Sequence, residues 1–145
     1  MSGTVFINID VPDIGAGEAF YREAFGLVRG RRLGDDFLEL LGWPVNVYLL
    51  LKAPGTPFAP GGAARREYGR HWTPVHIDVV VSDLDAAVAR AVAAGARLEA
   101  PVSQEPYGRL ALLADPFGHG VCLLELNERG YDAIATEPAP ALTGR

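Results

Sequence analysis

Three histidines and one cysteine, His71, His76, His119 and Cys122, supply the imidazole and thiol chemistry of this 145-residue chain. His76 sits in a β-branched run, VHIDVVVSD, from Val75 to Asp83. An imidazole there can ligate a metal, act as a general base near neutral pH, or orient a ligand through one directional hydrogen bond. Cys122, in VCLLEL, reads either as a soft metal ligand or as a small buried hydrophobe. His76 and Cys122 completed by His71 or His119 would make a zinc site, yet zinc enzymes generally present three protein ligands, and this pattern secures only two. Glu125 lies three positions from Cys122 and, at strand period two, faces the other side of the sheet. His119, after Phe117-Gly118, reads as a turn residue, and His71 beside Trp72 as an anchor for its segment. Tyr107 and Arg109 precede a strand and can present a phenol and a cation at a pocket mouth; the alternative is a turn with an exposed Arg109. No phosphate-cradling G-x-x-x-x-G-K-[ST] and no G-x-S-x-G elbow is present.

The elements that must position these residues come in two copies. VFINIDVPD, from Val5 to Asp13, returns as VHIDVVVSD, and the shared Val-x-Asp endings pair Phe6 with His76. Asp13 and Asp83 are N-cap residues, each opening a helix with an apolar stripe. The stripes are Ile14, Gly17, Phe20, Tyr21, Ala24 and Phe25, then Leu84, Ala87, Val88, Ala91 and Val92, stopped by Gly26 and Gly95. Strands are expected over Leu27 to Leu33, Asp36 to Leu41 and Val45 to Leu51 in the first copy. In the second they fall over Arg97 to Ala100, Arg109 to Ala114 and Val121 to Leu126. The class is α+β: two βαβββ modules forming a cupped eight-stranded mixed sheet with the helices outside. Residues 1–126 form one domain, with modules at 4–52 and 74–126 and a Pro/Gly-rich linker at 53–73 whose end, Tyr68 to Trp72, can act as a lid. A partly ordered tail follows at 127–145, with Tyr131 and Ile134 packing back.

Composition limits the partners. A net charge of -5 argues against nucleic acid, and Arg29, Arg31 and Arg32 read as a charged edge that blocks strand pairing. The longest apolar run, VNVYLLL, falls far short of the ~20 residues of a membrane helix. One cysteine allows no internal disulfide, and no export signal is evident, so the expected location is cytoplasmic.

Val11-Pro12-Asp13, Phe20-Tyr21 and Phe25-Gly26-Leu27 resemble the opening motif of the vicinal oxygen chelate superfamily, the glyoxalase, bleomycin-resistance and extradiol-dioxygenase group. Val75-His76, Ser82-Asp83, Pro106-Tyr107-Gly108 and Asp115-Pro116-Phe117-Gly118-His119 resemble its second module, so the likeness covers residues 4 to 126. It implies a homodimer and a cup holding a small organic molecule or, in enzymes, a divalent metal bound from the first and last strand of each module. Carried over by position, those sites are Phe6 and His76 on the first strands, Tyr48 and Cys122 on the last. Only His76 matches the usual ligand set. The expectation is therefore a ligand pocket of Phe6, Tyr48, Leu50, Trp72, His76, Tyr107 and Cys122, with no cofactor required. His76 and Cys122 are the candidates should a divalent metal bind, and His76 is the candidate base of a lyase or dioxygenase.

Overall fold

The structure, a computed structural model, describes residues 3–141. β1 (Phe6–Val11) leads into α1 (Ile14–Phe25), where Asp13 Oδ1 accepts the Ala16 N–H at 2.7 Å, and Gly26 closes the helix at φ 69°. β2 (Val28–Arg32), β3 (Phe37–Leu41) and β4 (Asn46–Leu51) complete a sheet ordered β1-β4-β3-β2, with β1 and β4 parallel. The second copy runs β5 (Ile77–Val80), α2 (Leu84–Ala93), β6 (Arg97–Leu98), β7 (Ser103–Glu105), β8 (Gly108–Ala114) and β9 (Gly120–Leu126). Its sheet is ordered β5-β9-β8-β6, with β7 also on β8.

The expected third-to-last strand, Arg97 to Ala100, is divided. β6 and β7 lie along one edge of β8, Leu98 opposite Leu113 and Ser103 opposite Leu110. Pro101 stands between them and has no N–H for the ladder, although Glu99 still donates to Leu112 O at 2.9 Å. Nine strands thus fill eight strand positions, four per module. β1 and β5 are edge strands of separate sheets and flank a common cavity.

Alternation decides which side chains reach that space. Ile9, Val11, Val47, Leu49, Leu38 and Leu40 are buried toward α1, and Ala111, Leu113 and Leu123 toward α2. The helices pack against each other, and Arg90 Nε donates to Ala24 O at 3.0 Å. Phe6, Asn8 and Asp10, Tyr48 and Leu50, Asp78 and Cys122 take the opposite face by the same parity. The segment 53–73 is strapped down: Arg66 binds the Asp10 carboxylate at 2.7 Å, and the Tyr68 hydroxyl donates to Lys52 O at 2.7 Å. Past β9 the chain makes a short 3-10 turn (Gly130–Ala133), with the Tyr131 ring 5.2 Å from that of Tyr107. Tyr131 and Ile134 are both about half exposed, and the last tail positions, 142–145, lie outside the described residues.

Candidate functional site

The ligating atoms of His76, Asp78 and Cys122 all lie within 4.8 Å of one another. β5 and β9 create this group, because they run parallel with Asp78 opposite Cys122, while His76 shares Asp78's face one pleat earlier. His76 Nε2 is 3.2 Å from Asp78 Oδ1. Burial pushes the Cys122 thiol up to about 11, and the charge and hydrogen bond of Asp78 add to it. The sulfur is therefore a protonated donor at neutral pH rather than a thiolate. The Tyr107 phenol is also raised, by burial first, then by Glu105, Tyr131, Asp78 and Cys122, which puts it within electrostatic reach of the trio.

Two cavities adjoin the group. One of about 270 Å³ is lined by Trp72, His76, Cys122, Leu112, Arg70 and Glu99. The other, about 430 Å³, lies between the β1 and β5 edges, and all three histidines line it.

The first sheet offers different chemistry. Phe6 packs edge-on to Tyr48 at 5.3 Å, and Phe37 approaches Tyr48 at 5.1 Å, leaving Phe6 53% exposed. Tyr48 donates its hydroxyl to Glu39 Oε1 at 3.0 Å. Glu39 is buried and also accepts from the Arg31 backbone at 3.0 Å and from the Arg31 guanidinium at 2.6 and 3.0 Å. The Arg31 hydrogen bonds hold the Glu39 carboxyl down at about 2. Its lone pairs are committed, so this module presents aromatic surface rather than ligands.

The structure thus groups Trp72, His76 and Cys122 around one cavity and places Phe6, Tyr48 and Leu50 on the face of the other sheet. Tyr107 lies against Tyr131. Arg109 does not reach a pocket mouth: it turns to the helix side, gripping Asp85 at 2.7 and 3.1 Å and approaching Glu125 at 3.6 Å. Glu125 faces α2 as expected and accepts the Leu84 N–H at 2.7 Å. Asp78 is the residue missed from sequence, and its signal was plain, since i+2 from a strand histidine shares the histidine's face.

Paired βαβββ modules with outer helices define the glyoxalase/bleomycin-resistance/dioxygenase class of fold. Within it the chain belongs to the family described as the Glyoxalase-like domain, which it matches over residues 6–124. Anthracycline biosynthesis protein DnrV of Streptomyces peucetius is 43% identical over 131 residues, which cover 90% of this chain but 43% of that protein. FosX, the fosfomycin resistance protein of Listeria monocytogenes, solved with Mn(II), superposes with TM-score 0.67 at 17% identity, covering 89% of this chain and 94% of that one. TnmS3, an antibiotic binding protein from Streptomyces sp. CB03234, superposes with TM-score 0.59 at 23% identity, covering 88% and 98%. A metal set drawn from both modules does not fit these residues, because Phe6 has no donor and Tyr48 is committed to Glu39. His76, Asp78 and Cys122 form a three-donor group on the second sheet alone.

Proposed function

We propose that this protein binds a small, largely apolar organic molecule in the cup between its sheets, using no metal set shared by the two modules. What supports it is the aromatic cluster of Phe6, Phe37 and Tyr48, of which Phe6 is exposed, standing on the first sheet where metal ligands would be needed, together with the His76–Asp78 pair on the second sheet as an orienting polar group. Apolar walls with a few convergent polar groups are what small-molecule sites present. Sequestration needs no bond to break. The stretch shared with an anthracycline biosynthesis protein makes polycyclic aromatics the first class to try. In this reading residues 1–126 are the working domain, the protein is cytoplasmic, and it pairs as a homodimer of twice 15.5 kDa, which sedimentation equilibrium checks.

Titration with a panel of anthraquinones tests the reading. Saturable quenching of Trp72 is expected, with Phe6→Asp weakening affinity about tenfold, equivalent to ~1.4 kcal/mol. Absence of saturable binding, or one tightly held metal per chain that disappears in His76→Ala, overturns it.

A second reading rests on the convergence of His76, Asp78 and Cys122, a donor set suited to a soft divalent ion such as Zn²⁺. An ion held there would polarise a substrate oxygen. Growth of a cobalt–thiolate absorption band on adding Co²⁺, together with metal-dependent turnover of a hemithioacetal or a catechol, would establish this reading in place of the first.

A further inference from the structure

His71 and His119 stand apart from the His76 group, and their donors and acceptors do not balance if both rings are neutral. His71 Nδ1 lies 2.9 Å from Gly69 O, and His119 Nε2 lies 2.8 Å from Asp10 O. Carbonyl oxygens only accept, so each outer nitrogen carries a proton. The inner nitrogens, His71 Nε2 and His119 Nδ1, face each other at 3.0 Å. Two neutral imidazoles protonated on their outer nitrogens would set lone pair against lone pair there. One further proton converts that clash into a charge-assisted N–H···N bond.

We propose that His71 and His119 form a clasp holding a single shared proton, and hence one positive charge, which ties the 53–73 connector to both modules.

The surroundings suit one positive charge. Of the nearby cations, Arg66 and Arg70 are each matched by a carboxylate, Asp10 at 2.7 Å and Glu99 at 2.7 Å, and Arg65, which lines the outer cavity, donates to Gly62 O at 3.0 Å. Asp115 is buried, pairs with no cation among the described residues, and accepts the His119 backbone N–H at 2.9 Å and the Tyr21 hydroxyl at 2.7 Å. The Tyr68 ring meets His119 edge-on at 6.3 Å, Glu67 lines the outer cavity, and His76, across the inner cavity, is paired with Asp78.

The clasp joins three parts of the chain: the connector through Gly69 and His71, the β8–β9 turn through His119, and the β1 edge through Asp10. Gly118 lets the connector seat on that turn, since a side chain there would collide with Gly69 O, and the His71 backbone N–H donates to Gly118 O at 3.2 Å. Both rings line the 430 Å³ cavity on one side and a cavity of about 540 Å³ under the connector on the other. Without the shared proton one of the three bonds must open, and loss of either crossing bond, His71–His119 or His119–Asp10, loosens the connector end and the wall between the cavities. The closed form binds the extra proton, so by linkage acid favours closure and alkali opening.

The intact protein tests this without substitution. Imidazole ¹⁵N spectra at about pH 6, within histidine's charge-changing range, are expected to show three ring protons distributed over His71 and His119. Hydrogen exchange of residues 66–73, corrected for intrinsic rate, should lose about fivefold in protection by about pH 8.5, the size of one hydrogen bond's net contribution. His71→Gln should abolish that pH dependence while leaving exchange in α1 and α2 unchanged. Two neutral rings at about pH 6, or connector protection equal at both pH values, overturns the proposal. Should His71→Gln fail to fold, the wild-type spectra still decide.

Discussion

Cys122 and Asp78 act as one unit at the scale of single residues. A thiol at about 11, raised by burial and by Asp78, reacts sluggishly with electrophiles at neutral pH and faster as the pH approaches that value. Iodoacetamide labelling of the sole cysteine, followed by mass spectrometry, should show this profile, and Asp78→Asn should move it to lower pH by removing the nearby negative charge. Added Zn²⁺ should leave the labelling rate unchanged under the ligand-binding reading and suppress it under the metal reading. The matched Val-x-Asp endings of the repeat pair His76 with Phe6, whereas Cys122 is placed on the last strand by the family resemblance, counted from Asp115 through Gly118. The repeat aligns Asp78 with Asn8, a position without a family ligand, although strand parity alone places it beside His76.

Elements set what the first sheet presents. The arginines of β2 do form an exposed sheet edge, but Arg31 has a further role. The β2–β3 register shifts between Arg29 and Arg32, so the Arg31 N–H and guanidinium both meet Glu39. Gly30 makes room, since a Cβ there would press on the Glu39 carboxylate. A bulge of this kind leaves no periodic trace, which is why alternation found the strands and not this contact. Glu39 has a folded-state value of about 2 against 4.5 for a free glutamate, so its ion pair is fully present above 4.5 and is lost as the pH falls toward 2. The urea midpoint should fall between pH 5 and pH 3, within that window, and Glu39→Gln should flatten this part of the profile at the cost of lower stability at pH 7. An unchanged acid slope in Glu39→Gln would show that other carboxylates set it.

At the scale of the whole molecule, the sequence reads as two modules and the core reads as one. Leu84, Ala87 and Ala91 of α2 belong to the same buried cluster as Phe20, Tyr21 and Leu49. Polar ties cross the same boundary: Tyr21 to Asp115, Arg90 to Ala24 O and His119 to Asp10 O. Periodicity reveals neither, because it reports which face of an element is apolar and not which element covers it. The Tyr21 hydroxyl meets a carboxylate across 94 positions of chain in a dry setting, and hydrogen bonds to charged groups contribute about 1.5–3 kcal/mol. Burial and Asp115 together raise the Tyr21 phenol well above its ordinary value, so it stays a donor throughout the useful pH range. Tyr21→Phe should therefore cost about 2 kcal/mol. It should do so without separating the modules, because the apolar contacts between α1 and α2 remain. Trp43, packed at a tilt against Phe25 with ring centres 5.5 Å apart, reports on the first module, and Cys122 labelling reports on the second. In a Trp72→Phe background their urea transitions should coincide in wild type and shift together in Tyr21→Phe. Two separated midpoints in either protein would mean that the halves fold independently, and that the Tyr21–Asp115 bond aligns two finished modules instead of completing one core.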